Sequence, residues 1–248
     1  MKFVFCCSLV LLFSFIAPQQ VSTKDVKIGN TPVSIQTTDY GNANVVFINV
    51  HSNETTSVEA TTDYLQDKSG SLIELKHDTT RLISFEFKGR MIQFDPNRMF
   101  TKKGRAANLQ LLNGKTPNGT EDEVEDFAEE ITYKIKKARI IIAVHNNTDG
   151  RPLSVNSFKE KYVNRNMDAD DFILTTEKKI FDQLKKKKIN AVLQTVKTST
   201  DDGSLAIYCS KKKIPYINIE AQEGHNTEQL EMLNALTDII SQYTNDGY

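Results

Sequence analysis

Three residues whose side chains can bind a metal or move a proton directly follow strongly apolar stretches of the sequence. They are His51, His145 and Glu220, and two of them are among the four histidines of this 248-residue chain. Imidazole nitrogens and carboxylate oxygens are ligands of zinc, and both groups also act as general acids and bases. Their common position indicates a metal-dependent or acid–base reaction.

Glu54 lies three residues after His51, where the chain is predicted to leave a strand and enter a helix. That spacing lets an imidazole and a carboxylate reach one ion from a single turn. With His145 they form a set of two histidines and one carboxylate, which occurs in several catalytic zinc sites and leaves a fourth position open. Because a His-x-x-Glu pair often arises by chance, the prediction of zinc on His51, Glu54 and His145 depends on the neighbouring strand ends.

The strands that position these residues are predicted from their apolar runs. Residues 45–50, 139–144 and 214–219 are nearly continuous in apolar character, which is typical of strands buried on both faces of a sheet. Ligands of open α/β sheets gather at the carboxyl ends of the strands, so these three strands are expected to bring their following residues together. Further strands are predicted at residues 33–36, 72–75, 82–87, 91–94 and 191–196.

Helices are predicted from apolar residues at helical spacing. The three stripes are Val124, Phe127, Ile131 and Ile135; Ile173, Ile180 and Leu184; and Leu230, Leu233, Leu236 and Ile240, the last with Asn226 or Thr227 as its N-cap. Residues 56–65 and 204–212 are weaker helix predictions. Strands and helices in alternation predict an α/β fold with three α/β/α layers and a mixed, largely parallel central sheet.

Two arginines, Arg90 and Arg98, flank the predicted strand at residues 91–94. A guanidinium group is a planar fork that suits a carboxylate or a developing oxyanion. By composition alone, both arginines would instead be surface salt-bridge residues, and Asp95-Pro96-Asn97 would be an ordinary turn.

The segment from Arg90 to Phe100 resembles the Arg…Asp-x-Asn-Arg-x-Phe stretch of the aspartoacylase/succinylglutamate desuccinylase family, a branch of the zinc carboxypeptidase superfamily. Residues 51–54, His-Ser-Asn-Glu, are similar to its His-Gly-Asn-Glu metal motif, with Ser52 in place of glycine. Residues 145–148 resemble its third-ligand segment, and residues 219–221 resemble its strand-end glutamate segment. All four matches occur in family order.

This resemblance implies a zinc carboxypeptidase-like fold and a role for each matching residue. It assigns one Zn²⁺ per chain to His51, Glu54 and His145, general base and acid catalysis to Glu220, oxyanion stabilisation to Arg90, and binding of a substrate carboxylate to Asn97 and Arg98. Glu223 is an alternative base, and Glu220 is favoured because it follows its strand directly.

Residues 1–22 are predicted to be a signal peptide with an approximate boundary, since a lysine precedes an apolar run shorter than the ~20 residues of a membrane span. Residues 23–248 are predicted to form one domain. After removal of the leader, Cys209 is the only cysteine, which excludes an intrachain disulfide and favours a bacterial envelope. We therefore expect a secreted or periplasmic protein without a stable membrane span. Lipidation at Cys6 or Cys7 is a minor alternative.

The expected function is that of an exported zinc-dependent hydrolase that cleaves an amide bond next to a free carboxylate. Its substrate would be a small peptide or an N-acyl amino acid. Because residues 230–243 are the last predicted element, we expect no further domain to roof the site, which somewhat favours peptides. The alternative is a non-catalytic metal- or peptide-binding module that retains the fold. A net charge of −1 gives no reason to expect a nucleic-acid partner.

Overall fold

A computed structural model of the chain describes residues 19–147 and 153–244. The predicted leader lies almost entirely outside these residues, and the first described strand begins at Gln20. None of the described helices combines the length and the apolar character that crossing a membrane requires. The described helices are α1 (Thr55–Leu65), α2 (Lys102–Asn113), α3 (Thr120–Ile135), α4 (Lys178–Lys186), α5 (Leu205–Lys212) and α6 (Asn226–Ile240).

Nine strands form one mixed sheet in the order β1-β2-β4-β3-β7-β11-β9-β10-β8, and β5 pairs with β6 in a separate hairpin. The central strands β4, β3, β7 and β11 are mutually parallel. The strands are β1 (Gln20–Ile28), β2 (Thr31–Asp39), β3 (Val45–Asn49), β4 (Ser71–Lys76), β5 (Ile83–Phe87), β6 (Arg90–Phe94), β7 (Ile140–Asn147), β8 (Lys161–Tyr162), β9 (Phe172–Thr175), β10 (Ala191–Leu193) and β11 (Tyr216–Gln222).

Helices cover both faces of the sheet. Apolar side chains of α1, α4 and α6 pack on one face, and those of α2, α3 and α5 pack on the other. Every residue of β3 and β7 is buried, as their nearly continuous apolar sequences predict. The arrangement confirms the predicted three-layer α/β/α fold with a mixed central sheet.

The structure corrects part of the helix prediction. Ile173 lies in β9 rather than in a helix with Ile180 and Leu184, because α4 begins only at Lys178. Neither Asn226 nor Thr227 caps α6, whose N-cap position is His225 without a capping side-chain hydrogen bond. The first error comes from a short apolar segment, for which periodicity alone does not separate a buried strand from a helix. The second is a shift of the helix start by one or two residues.

A close contact between two glycines fixes the loop before α5 against the segment that follows β6. Gly203 has a φ of +83°, and a Cβ atom at this position would lie 2.2 Å from the carbonyl oxygen of Arg98. A Cβ atom on Gly104 would lie 2.0 Å from the Cα of Gly203. The Phe100 N–H donates to the carbonyl oxygen of Gly203 at 3.0 Å. Only glycine permits this approach, which holds Arg98 in place.

We expect Gly203→Ala to lower the free energy of unfolding by roughly 2–4 kcal/mol, because it adds both a backbone clash and a left-handed alanine. Chemical denaturation measures the change. Gly224→Ala is the matched control, since Gly224 has a φ of +85° but open space where a Cβ would lie. It should cost only about 1 kcal/mol of backbone strain. Equal losses in both variants would contradict the importance of the close contact.

Candidate metal centre

His51 and Glu54 lie on one tight turn between β3 and α1. The Glu54 N–H donates to the carbonyl oxygen of His51 at 3.1 Å, and Glu54 is the N-cap residue of α1. Ser52, which stands where the resembling motif has glycine, is accommodated by β4. Its hydroxyl donates to the carbonyl of Leu75 at 2.9 Å and accepts from the N–H of His77 at 3.0 Å. The turn therefore presents both predicted ligands in the same direction.

Two buried asparagines tie this turn to the strand that carries the third ligand. The Asn49 amide donates to Ser57 Oγ at 3.0 Å and to the carbonyl oxygen of Val144 at 3.2 Å. Asn146 Oδ1 accepts from the Ser57 N–H at 2.8 Å, and its amide donates to Gln229 of α6 at 2.9 Å. Because buried polar groups need such partners, these bonds fix the start of α1 against the end of β7.

The three predicted ligands converge on one another in the interior. His51 Nδ1 lies 3.2 Å from His145 Nδ1 and 2.8 Å from Glu54 Oε1. The second carboxylate oxygen of Glu54 lies 2.7 Å from His145 Nδ1. One potential ligand atom of each residue lies within 4.8 Å of the others, and all three residues are buried. They are therefore able to hold one metal ion together.

Asp95 holds the far side of the His51 ring. His51 Nε2 lies 2.8 Å from Asp95 Oδ1, which leaves Nδ1 directed at Glu54 and His145. Histidines that ligate a metal commonly donate their other ring N–H to a carboxylate, which fixes the tautomer and the ring orientation. Asp95 therefore serves the site as an outer-shell partner of His51, and not only as a residue of an ordinary turn.

The charges of the cluster are mutually compensated. Burial alone would lower the pKa of His51, but Glu54 and Asp95 outweigh burial and raise it to about 9. Burial would raise the pKa of Glu54, but His51 and His145 hold it well below its usual range. A proton and a metal ion compete for His51 Nδ1, because a ligating imidazole nitrogen must be unprotonated.

The donor set and its spacing fit zinc. Two nitrogens at 2.0–2.1 Å from a tetrahedral zinc ion lie about 3.3 Å apart, and the two Nδ1 atoms lie 3.2 Å apart. A carboxylate completes the set, and a cavity of about 280 Å³ adjoins it. This leaves space for water or substrate at a fourth position.

Glu220 lies beside His145 on the adjacent strand, since the two residues are direct partners in the register of β7 and β11. Its side chain lines the same cavity and accepts a hydrogen bond from the Asn218 amide at 2.9 Å. Burial and the nearby Glu54 raise the pKa of Glu220, while His145 opposes them in part. Glu223 is exposed and is not among the residues that line the cavity. The geometry therefore favours Glu220 over Glu223 as the acid–base residue.

Asn97 and Arg98 reach the cavity from the short 3₁₀ turn after β6. Asn97 Nδ2 lies 3.4 Å from His145 Nε2, and Asn97 Oδ1 accepts from the N–H of Leu205 at 3.1 Å. The Arg98 guanidinium donates to the carbonyl of Asn97 at 2.9 Å, lies 3.6 Å from Asp202 and is about one-third exposed. Both residues therefore stand where a substrate bound in the cavity would contact them.

Arg90 does not reach this site. It is exposed at the turn end of the β5–β6 hairpin and donates to the carbonyl of Lys115 at 2.5 Å. The strands pair with Phe87 opposite Arg90 and Ile83 opposite Phe94, so Arg90 lies a whole strand, roughly 17 Å, from Asp95. The placement predicted from the motif spacing therefore needs correction.

Arg81 is the arginine that the hairpin brings to the cavity. It lies two residues before β5 at the open end of the hairpin, near Asp95, which directly follows β6. Its Nη1 donates to Glu54 Oε1 at 2.6 Å, and its Nε lies 3.4 Å from Asp95 Oδ2. The sequence signal for this arginine is the tight turn at Lys88–Gly89. Pairing the residues on either side of that turn places Arg81 near Asp95 and leaves Arg90 at the turn.

No protein-family model matches the sequence, and no curated protein matches it. Solved structures do match. Murein-tripeptide amidase MpaA from Escherichia coli O157 superposes with a TM-score of 0.50 at 12% identity, over 94% of this chain and 96% of that chain. Bovine thrombin-activatable fibrinolysis inhibitor, in complex with tick carboxypeptidase inhibitor, has a TM-score of 0.49 at 16% identity, covering 89% and 90%. An aspartoacylase family protein from Mesorhizobium loti has a TM-score of 0.44 at 13% identity, covering 91% and 68%.

The similarity to the amidase concerns the fold, since so few residues are identical. It shows that this chain shares the fold of the amidase, in agreement with the three-layer α/β/α fold predicted from the sequence. What this chain does with that fold must be argued from its own site.

Proposed function

We propose that this chain is an exported zinc-dependent hydrolase that cleaves an amide bond next to a free carboxylate. The observation that carries the proposal is the position of Glu220 beside a buried cluster of His51, Glu54 and His145. A catalytic zinc site needs three protein ligands, an open position and a nearby base, and this arrangement offers each of them.

The proposed reaction needs side chains that bind the metal and a side chain that transfers protons. His51, Glu54 and His145 would hold zinc, which when bound polarises a substrate carbonyl and lowers the pKa of water towards about 7. Glu220 takes the proton of the attacking water and returns it to the leaving amine.

Two arginines supply positive charge along the cavity. Arg81, which lines the cavity, would take the role expected of Arg90 and stabilise the negative charge that develops on the carbonyl oxygen. Asn97 and Arg98 bind the substrate carboxylate, for which a guanidinium fork provides two parallel donors. The free carboxylate is therefore the feature that we expect every good substrate to share.

The size and lining of the cavity limit the substrate. A volume of about 280 Å³ lies just below the usual range of ligand pockets, and Leu153 is the one apolar side chain among the described residues that line it. We therefore propose that the cavity holds one small or polar terminal residue, with the rest of a peptide extending into solvent. The name of the structurally similar amidase makes cell-wall peptides a class to include among the substrates tested.

One observation favours the alternative of a non-catalytic binding module. The arginine at the motif position, Arg90, lies outside the cavity, so one part of the resembling constellation is displaced. The presence of Arg81 in the cavity and of a buried Glu220 weighs in favour of catalysis.

The experiment is a metal analysis of protein purified without chelators, together with a substrate panel. We expect about one zinc per chain and hydrolysis of peptides or N-acyl amino acids that carry a free carboxylate. The same peptides with an amidated carboxyl terminus are the matched control and should react at least about tenfold more slowly. Bound zinc without hydrolysis would support the binding module, and protein without zinc would overturn the proposal. Ester analogues in the panel separate an esterase from an amidase.

A further inference from the structure

Arg81 contacts the carboxylate that is proposed to ligate the metal. Its Nη1 donates to Glu54 Oε1 at 2.6 Å, the same oxygen that lies 2.8 Å from His51 Nδ1. Glu54 is fully buried, whereas the Arg81 side chain is 41% exposed. One end of this ion pair therefore lies in the interior, and the other end reaches solvent.

Both oxygens of Glu54 have partners within the protein. Oε1 faces Arg81 and His51, and Oε2 faces His145 at 2.7 Å. Arg81 also lies 3.4 Å from Asp95 Oδ2, so it spans the carboxylate that ligates and the carboxylate that orients His51. The position of Arg81 is therefore set by the metal site itself rather than by the surrounding surface.

We infer that Arg81 is a positioning residue that occupies the Glu54 carboxylate until a metal ion arrives, and that it thereby lowers the affinity of the site for zinc. The inference rests on the proposed zinc site. A cation that takes Glu54 Oε1 as its ligand displaces the guanidinium from that oxygen, and like charges at such close range repel each other. Competition and repulsion both lower the affinity of the site for zinc.

Displacement also gives Arg81 a second position. The side chain lines the cavity, so a guanidinium displaced from Glu54 would be able to turn towards a substrate carbonyl there. Metal binding would then place the positive charge where catalysis uses it. The contact with Glu54 lowers the zinc affinity, and the same contact keeps the oxyanion-stabilising guanidinium next to the metal site.

The rival explanation is that Arg81 only orients Glu54. The two explanations predict opposite signs. If Arg81 competes with zinc, then its removal tightens zinc binding. If it only orients the ligand, its removal loosens zinc binding, as loss of an outer-shell partner ordinarily does.

The test measures the zinc dissociation constant by competition with a chromophoric chelator for the wild type, Arg81→Gln and Arg81→Lys. We expect Arg81→Gln to bind zinc about tenfold more tightly, and Arg81→Lys, which keeps a cation, to lie between it and the wild type. Arg90→Gln is the matched control, because it removes the same charge from an exposed arginine outside the site, and it should bind like the wild type.

Unchanged or weaker binding by Arg81→Gln would overturn the role of Arg81 and leave the zinc hydrolase standing. Equal tightening in Arg90→Gln would also overturn it, since the effect would then be one of net charge. A wild-type protein that binds no zinc would remove the proposed function and this inference with it. Arg81→Lys replaces the guanidinium fork with a single ammonium, so it serves as the test if the glutamine variant does not fold: zinc binding no tighter than that of the wild type would then overturn the role of Arg81.

Discussion

Replacement of Glu220 by glutamine is expected to lower kcat between about 100- and 10,000-fold, the range that a positioned general base contributes. Glutamine has nearly the same shape and still offers an oxygen to the Asn218 amide, which donates to Glu220 at 2.9 Å. It does not accept a proton from water. The zinc content of the variant should remain at about one per chain, because Glu220 is not among the three ligands.

Glu223→Gln is the matched control for this prediction. Glu223 follows the same strand but is exposed, and its backbone N–H donates to the carbonyl of Asn147. Its replacement should change kcat by less than about twofold, as for a surface substitution away from the site. Loss of turnover in Glu223→Gln alone would transfer the role of base to that residue. Full activity in both variants would contradict proton transfer by either glutamate.

The core of this site could be predicted because strand ends are visible in the sequence. The nearly continuous apolar runs before His51, His145 and Glu220 indicate buried strands, and these become β3, β7 and β11. Parallel neighbours in one sheet present their carboxyl ends at the same edge, so the convergence follows from the pattern. The direct pairing of His145 with Glu220 agrees with this argument.

The arginine could not be placed by motif spacing, because spacing does not give the register of a hairpin. Lys88 and Gly89 both have positive φ values, and they form the two-residue turn that pairs Phe87 with Arg90. This register places Arg90 at the turn and Arg81 at the site. A prediction that included the turn would have exchanged the two arginines.

Other parts of the molecule gave weaker signals. Helix α2 and strands β1, β8 and β9 were not predicted, and β8 and β9 have only two and four residues. The contacts of Asn49 and Asn146 bridge α1, β3 and β7 and depend on tertiary packing. Local patterns carry little information about either short strands or long-range hydrogen bonds. The predicted signal peptide, the export and the single-domain organisation stay predictions.

Replacement of His145 by glutamine is expected to abolish stoichiometric zinc binding. His145 Nδ1 lies 3.2 Å from His51 Nδ1 and 2.7 Å from Glu54, so its loss leaves two ligands out of three. An outer-shell partner of a metal ligand is worth roughly 10–100-fold in affinity, and a ligand should be worth more. Metal analysis after dialysis should find less than about a tenth of the zinc of the wild type.

Thermal unfolding with and without a chelator provides a second measure of the same loss. Zinc at about 1,000 times its Kd would stabilise the wild type by roughly 4 kcal/mol, which corresponds to a Tm shift of roughly 10 °C for a chain of this size. The Tm of His145→Gln should not respond to the chelator. Each protein is compared with itself, because glutamine also leaves the buried Glu54 with one partner fewer.

His77→Gln is the matched control for the loss of a histidine. The His77 side chain is as buried as that of His145, but its Nδ1 faces Asp78 at 2.7 Å rather than the ligand cluster. It should keep both the zinc and the chelator-dependent Tm. Zinc retained at full stoichiometry by His145→Gln would show that the ion binds elsewhere. The proposed role of Glu220 would then no longer be linked to a metal ion beside it.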